Sequence, residues 1–403
     1  MKILQVLTYY RPHISGLTIY VERLSKALAQ QGHEVTVMTS QYDHDLARFE
    51  IKDNVAIRRV PVAFRVSKGV IMPTFGPMAW KMVQWADVIH LHLPQFDAPG
   101  VAFRGRLYKK PVILTYHSDL RLPDGFFNRI IDQVVHSMNR IAGNLADVVV
   151  TYTYDFGSHS PFLSKYVGKK LAVIPPPVEL AQATENQVAV FRNKYKLASK
   201  SVIGISARMA SEKGIEVLLH AMPAVLDKHP DAFILHASPD AIGESTYARR
   251  IEPLLKEHAE HYKLLGALEG SDLTAFYRNL DCLVMCSLNN TETFGLVQIE
   301  AMMNGVPAVA SDLPGVRQPV RMTGMGEIVP VGDHVALAKA IIHILDKEES
   351  YRCPPEIIAK TFSPEQTASE YLHLYDDLLA GKQGGSIEEP AGYGLLRQMR
   401  DSA

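Results

Sequence analysis

Two glutamates, Glu292 and Glu300, bracket the stretch "TFGLVQI", and a helical pattern begins inside that gap. The strand-like "LVMCS" ends just before it, and a polar loop "LNNTE" follows. Leu296, Ile299 and Met303 then recur at helical spacing until Gly305. This places the amides of Phe294, Gly295 and Leu296 at a helix N-terminus, where backbone donors lack intrahelical partners and favour an anion. Gly295 lets the backbone approach a ligand closely. Neither carboxylate suits phosphate. A carboxylate does accept two hydrogen bonds side by side, which fits the vicinal hydroxyls of a ribose or a hexose. The competing structural reading makes Glu292 a helix cap and Glu300 a surface residue.

Phosphate also needs cations. "GISARMASEKGIEVLL" puts Arg208 at a strand end and Lys213 just before the next helix, on the sheet edge that carries Glu292. A guanidinium and an ammonium there would neutralise a departing diphosphate. The residues therefore read as a diphosphate held by amides and cations, with a carboxylate on the sugar at either side.

Those residues need a scaffold that brings strand ends together. "KILQVLTYY", "EVTVMTS", "VAIRRVPV", "ADVIHLHL", "PVILTYHS" and "ADVVVTYT" read as strands, most of the later ones separated by helix-length segments. "VIPPPVEL" breaks the rhythm near 174–178, because prolines neither continue a helix nor fill a central strand. The alternation then restarts with "SVIGISAR", "DAFILHAS", "YKLLGAL", "LDCLVMCS", "PAVASDL" and "GEIVPV". The expectation is two doubly wound α/β domains whose ligands lie outside the carboxyl ends of the strands. The Gly-rich end, 383–403, reads as a flexible tail.

Bulk properties agree. A chain of 403 residues with 47% hydrophobic content is long enough for two cores, and a net charge of −1 carries no global footprint for nucleic acid. Cys282, Cys286 and Cys353 are too few for a disulfide framework and read as core thiols. No run approaches the ~18 apolar residues of a spanning helix. The N-terminal apolar stretch is interrupted by Tyr-Tyr-Arg-Pro, unlike a secretion signal. A cytoplasmic protein is expected, with membrane contact peripheral at most, at the inner face. His90 and His92 alternate on one strand face and read as core or cleft-lining residues rather than a metal pair. Phe127, Ile130, Ile131, Val134, Val135 and Met138 form a broad apolar stripe, read first as buried packing and otherwise as a membrane-facing or acceptor-channel surface.

In combination, "R-x4-K-G" at Arg208–Gly214, "E-TFGLVQI-E-A" at Glu292–Ala301 and "NGVPAVASDLPGV" resemble the retaining nucleotide-sugar glycosyltransferases of family 4, the group 1 glycosyltransferases. The resemblance extends to "SGLT", "GHEVTVMTS", "ADVIHLHLP", "TYHSD" and "TGMGEIVPVGD", and so covers nearly the whole chain. It implies the GT-B fold, in which two doubly wound Rossmann-like domains face an interdomain cleft. The implied division is 1–176 on the acceptor side, 177–363 binding the nucleotide sugar, and 364–382 crossing back onto the first domain. The implied activity is hexosyl transfer from a nucleotide-diphosphate sugar, UDP-sugar foremost, to a sugar or lipid-linked hydroxyl, with anomeric retention. No metal and no cofactor are implied, since the nucleotide sugar is a substrate.

Carried over residue by residue, Arg208 and Lys213 would grip the diphosphate. Glu292 would hold donor-sugar hydroxyls beside the Phe294, Gly295 and Leu296 amides, and Glu300 would hold the ribose. His117 matches the family's active-site histidine and Gly16 its glycine turn near the donor phosphate and the acceptor; Asp119 is an acceptor-side candidate, with a loop-capping role as its alternative. Departures are Ser15-Gly16 in place of two glycines, "HASPD" around Ser238 and Pro239 in place of a glycine-rich turn, and the prolines Pro175–Pro177. The rival readings are a nucleotide-sugar epimerase or hydrolase on the same architecture, GDP-mannose-dependent transfer, or a non-catalytic sugar-nucleotide binder. A dinucleotide oxidoreductase lacks its G-x-G-x-x-G fingerprint here.

Overall fold

A computed structural model describes residues 1–66, 69–119, 126–238, 245–347, 351, 353–382 and 389–402. Pro239 and the loop just before residue 126 lie outside the described residues, as does the Phe127 side chain. The chain divides into two compact units, Met1–Pro177 with Phe362–Pro390, and Val178–Thr361 with Ala391–Ala403.

The first unit is built on strands β1 (Lys2–Val6), β2 (Glu34–Gln41), β3 (Phe49–Lys52), β4 (Val55–Pro61), a small hairpin β5 (Phe64–Val66) and β6 (Gly69–Ile71), then β7 (Val88–Leu93), β8 (Val112–Tyr116), β9 (Val148–Thr151) and β10 (Leu171–Val173). Its main sheet runs β10-β9-β8-β7-β1-β2-β4-β3, parallel except for the β3–β4 pair. Strand order reverses beside β1, between β2 and β7. The second unit holds β11 (Ser201–Ser206), β12 (Ala232–Ala237), β13 (Tyr262–Gly266), β14 (Cys282–Met285), β15 (Ala308–Ser311) and β16 (Gly326–Val329) in the order β13-β12-β11-β14-β15-β16, all parallel. That is a doubly wound order, and its reversal falls between β11 and β14. Because helices cover both faces of each sheet, β7, β8, β9 and β14 are buried along their whole length, and all but β7 carry near-continuous apolar runs.

Two readings change. Residues 391–402, expected to be part of a flexible tail, form a helix that packs on the second unit, with Tyr393 and Leu396 fully enclosed. Its apolar side chains are spaced to bury one face, which the glycine-rich lead-in conceals in the sequence. The stripe on helix Phe126–Leu145 is only partly packed, since Ile130 and Val134 are exposed. Leu396→Ala should lower the stability of the second unit by about 2–5 kcal/mol, the usual cost of emptying a buried leucine site. Urea unfolding checks this, and an unchanged midpoint would mean the helix does not hold its place.

Candidate active site

The β11/β14 reversal sets the candidate site of the second unit. After β11 the chain turns through Ala207–Lys213 into helix Ile215–Lys228, and after β14 it runs through Cys286–Gly295 into helix Leu296–Met302. The two loops are bonded to each other. The Leu288 amide donates to the Glu212 carbonyl at 2.9 Å, and the Cys286 thiol donates to the Gly214 carbonyl at 3.1 Å. Gly214 and Gly295 are the N-caps of the two helices, at φ +65° and +84°. A Cβ on Gly214 would overlap the Cys286 carbonyl oxygen, so the close approach of the loops requires glycine there.

Across this seam the Lys213 ammonium is paired with the Glu292 carboxylate, both largely but not fully enclosed. The structure thus brings together two residues 79 positions apart. The helix after Gly295 has no side-chain cap, so Glu292 is not the capping residue that the competing reading offered. Arg208 does not join this pair. Its guanidinium is about half exposed and is held by Glu212 at 2.9 Å. Glu300 lies on the second turn of the helix and is buried, and its Oε2 accepts from the Tyr277 hydroxyl at 2.7 Å. A surface role for Glu300 is therefore excluded. Phe294 is buried beside Gly295.

His236, Tyr277 and Glu212 were not legible as site residues. His236 is the penultimate residue of β12, and its Nε2–H donates to the carbonyl of Ala207 at 2.8 Å while Tyr262 donates to Nδ1 at 2.6 Å. It thereby fixes the residue next to Arg208. Burial holds the His236 imidazole down at about 4. The only hint in the sequence is one histidine at the end of an apolar strand.

In the first unit, Gly16 opens helix Gly16–Gln30, whose N-cap Ser15 accepts from the Thr18 amide at 3.2 Å. The space where a Gly16 Cβ would stand is open. Asp119 accepts from the Tyr116 and Ser160 hydroxyls at 3.0 and 2.8 Å, which fixes its own carboxylate. His117 belongs to a buried polar row on one face of the sheet. Gln5 of β1, His90 and His92 of β7, Thr115 of β8 and His117 just beyond it share this face, under Tyr20 and the C-terminal helix Pro364–Leu379.

The bonding fixes the tautomers. His92 Nε2–H donates to the Gln5 carbonyl oxygen at 2.6 Å, leaving Nδ1 to accept from His117 Nε2–H at 2.9 Å. His117 Nδ1 then accepts from the Tyr152 hydroxyl. Tyr20 packs edge-on against the His117 ring at 4.8 Å. His90 bridges Tyr375 and Thr115 at 2.7 Å each, and Thr115 meets Tyr371, which meets Tyr20, again at 2.7 Å. Burial pushes all three imidazoles down, His117 to about 3 and the other two well below their ordinary value. His117 is therefore neutral at neutral pH, with both nitrogens engaged by protein groups. His90 and His92 are core residues. The third histidine beside them comes from the next strand, which spacing alone did not reveal. Among the described residues no cluster of three or more His, Cys, Asp or Glu side chains is placed to hold a metal ion.

Two family descriptions match the chain, "Glycosyltransferase Family 4" over residues 14–182 and "Glycosyl transferases group 1" over residues 188–356. The phosphatidyl-myo-inositol mannosyltransferase of Mycobacterium leprae (strain TN) is 26% identical over 395 residues, spanning 93% of this chain and 96% of that one. Among solved structures, sucrose-phosphate synthase from Thermosynechococcus elongatus superposes with a TM-score of 0.73 at 23% identity, covering 94% of this chain and 100% of that one. Anabaena HepE in complex with UDP and glucose gives 0.69 at 18% identity, over 93% and 98%. The fold is GT-B, and the chain belongs to the group 1 glycosyltransferases. It is an enzyme of the glycosyl-transferring class, EC 2.4.

The buried imidazoles predict a pH dependence of stability. They stay neutral in the folded protein, whereas the unfolded chain takes up protons near pH 6.5, so protonation favours unfolding as pH falls below that value. Each costs up to about 1.4 kcal/mol per pH unit between its unfolded value and its folded value, about 3 for His117 and about 4 for His236. The urea midpoint should therefore drop steadily from pH 6.5 towards 4. A midpoint flat between pH 7 and 5 would contradict the assignment.

Proposed function

We propose that the protein transfers a hexosyl group from a nucleoside-diphosphate sugar to a hydroxyl acceptor, with retention at the anomeric carbon and without a metal ion. The observation that carries the reading is the Lys213–Glu292 pair at the strand-order reversal of the second unit. An ammonium has three N–H donors, and Glu292 takes one. The remaining donors suit diphosphate oxygens, with Arg208 supplying a second, more exposed cation. The free oxygen of Glu292 suits a sugar hydroxyl, and Glu300, oriented by Tyr277, suits the ribose. Leu296 and Gly295 offer backbone donors beside them.

In the transfer itself, the acceptor oxygen forms a bond to the anomeric carbon on the face from which the diphosphate leaves. The carbon–oxygen bond to the diphosphate breaks, and the acceptor proton passes to the departing oxygen. Fixed cations stabilise the charge that develops on the leaving group. His117 and Gly16 are assigned to the first unit's contribution, His117 as a neutral, rigidly held ring rather than a proton carrier. UDP-hexose is the favoured donor, supported by the UDP and glucose bound to HepE. GDP-mannose is the second reading, favoured by the mannosyl transfer in the name of the Mycobacterium leprae relative. That relative's phosphatidyl-inositol acceptor supports a lipid-linked hydroxyl, with peripheral contact at the cytoplasmic membrane face. No described helix is long and apolar enough to cross a membrane.

The test is a transfer assay in excess EDTA with UDP-glucose and GDP-mannose, followed by NMR of the product's anomeric coupling. Activity should survive EDTA and the anomeric configuration should be kept. Lys213→Ala should lower kcat by about a few hundredfold, the usual cost of losing one donor to a developing anion, with Arg208→Ala lowering it in the same direction. Rescue only by Mg²⁺ or Mn²⁺, an inverted product, or near-normal turnover in Lys213→Ala would each overturn part of the reading.

A further inference from the structure

At the amino ends of β8–β10 in the first unit lies a concavity of about 660 Å³, lined by Arg106, Lys109, Lys110, Lys169, Lys170 and Lys382, with Asp147 as its one carboxylate. Its walls are the turns that lead into β8, β9 and β10, plus the end of helix Pro364–Leu379. Six cations facing one acid stand out in a chain whose net charge is −1.

Two of the cations are fixed structurally. Arg106 Nε donates to the Leu145 carbonyl at 2.7 Å and pairs with Asp147 at 3.0 Å. Lys170 Nζ donates to the carbonyls of Asn144 and Ala146 at 3.0 and 2.6 Å. Both thus close the C-terminal end of helix Phe126–Leu145, where cations suit the helix dipole. Lys382 is held by Asp377 at 2.7 Å. Lys109, Lys110 and Lys169 have no such task. Among the described residues they pair with no carboxylate, and Lys109 adopts a positive φ of 53° that sets its turn. The Lys170 ammonium is pushed down by burial and then by Arg106, with Asp147 acting the other way, so Arg106 and Lys170 repel each other across the basin wall. An anion would relieve that repulsion.

We propose that this basin binds a phosphorylated ligand carrying more than one negative charge, at a site separate from the donor's. The volume lies within the range of small-molecule sites and exceeds what a lone phosphate fills. Lysines act as point-charge partners for phosphate oxygens, and several around one hollow favour a multiply charged group. Position separates it from the chemistry: the basin is at the amino ends of β8–β10, whereas His117 follows the carboxyl end of β8, roughly 17 Å along the strand. The ligand is either a soluble phosphorylated molecule or the phosphate headgroup of an acidic lipid.

Full-length protein bearing Arg208→Ala and Lys213→Ala, which weakens the donor site, is titrated with inorganic pyrophosphate by calorimetry. It is also co-sedimented with phosphatidylcholine vesicles, with and without phosphatidic acid. The same measurements follow after adding Lys109→Glu, Lys110→Glu and Lys169→Glu. Binding of pyrophosphate that weakens at least about tenfold on charge reversal supports a soluble ligand. Binding to phosphatidic acid vesicles alone, lost on charge reversal, supports a lipid headgroup. Binding of neither probe, or equal binding after charge reversal, overturns the proposal. If the triple reversal alters the thermal midpoint, Lys169→Glu alone, at an exposed position, gives the same comparison with a smaller shift. Because the donor-site substitutions are present throughout, failure here leaves the transferase reading untouched.

Discussion

Where strand order reverses beside β11, the helices that follow β11 and β14 leave the sheet on opposite faces, and the space beyond those two carboxyl ends stays open. Everything proposed for the second unit depends on that opening. The two loops that border it are drawn together by Leu288–Glu212 and Cys286–Gly214 bonds, and glycine at 214 permits the approach. Only with the loops in that register do Lys213 and Glu292 meet. Removing one partner would leave a partly buried charge without its counterion, which is why the pair is a device of position as much as of stability.

The first unit solves a different problem with the same topology. A parallel sheet covered on both faces offers no water to polar side chains, so Gln5, His90, His92, Thr115 and His117 must satisfy one another. The histidines and Thr115 do so with the help of hydroxyls from Tyr20, Tyr152, Tyr371 and Tyr375, while Gln5 engages His92 through its carbonyl oxygen. Two of those tyrosines belong to helix Pro364–Leu379, so the late segment of the chain is fastened to the first unit by the histidines it covers. The orientation of His117 is a by-product of the same network.

Much of this could be read in the sequence, for physical reasons that differ by residue. The alternation of strands and helices follows from apolar periodicity, which survives without any partner information. The grouping of Arg208, Lys213, Glu292 and Glu300 at strand ends follows from the topology that alternation implies. What stayed hidden was pairing. Nothing in the spacing says that Lys213 bonds Glu292 while Arg208 bonds Glu212, because both choices lie within reach of flexible side chains. Within the second unit, Tyr277 and His236 come from elements that the loop motifs do not mention, and within the first unit Tyr152 meets His117 from just past a different strand. The terminal helix was obscured by the glycines before it, which speak for mobility although Tyr393 and Leu396 behind them are buried.

The central claim is that the loops after β11 and β14 hold the donor nucleotide. Hydrogen–deuterium exchange of the full chain with and without a nucleoside diphosphate addresses it directly. The account predicts slowed exchange at residues 207–214 and 286–300 and little change over the rest of the second unit. Protection that is absent from both loops while the nucleotide is bound would contradict it.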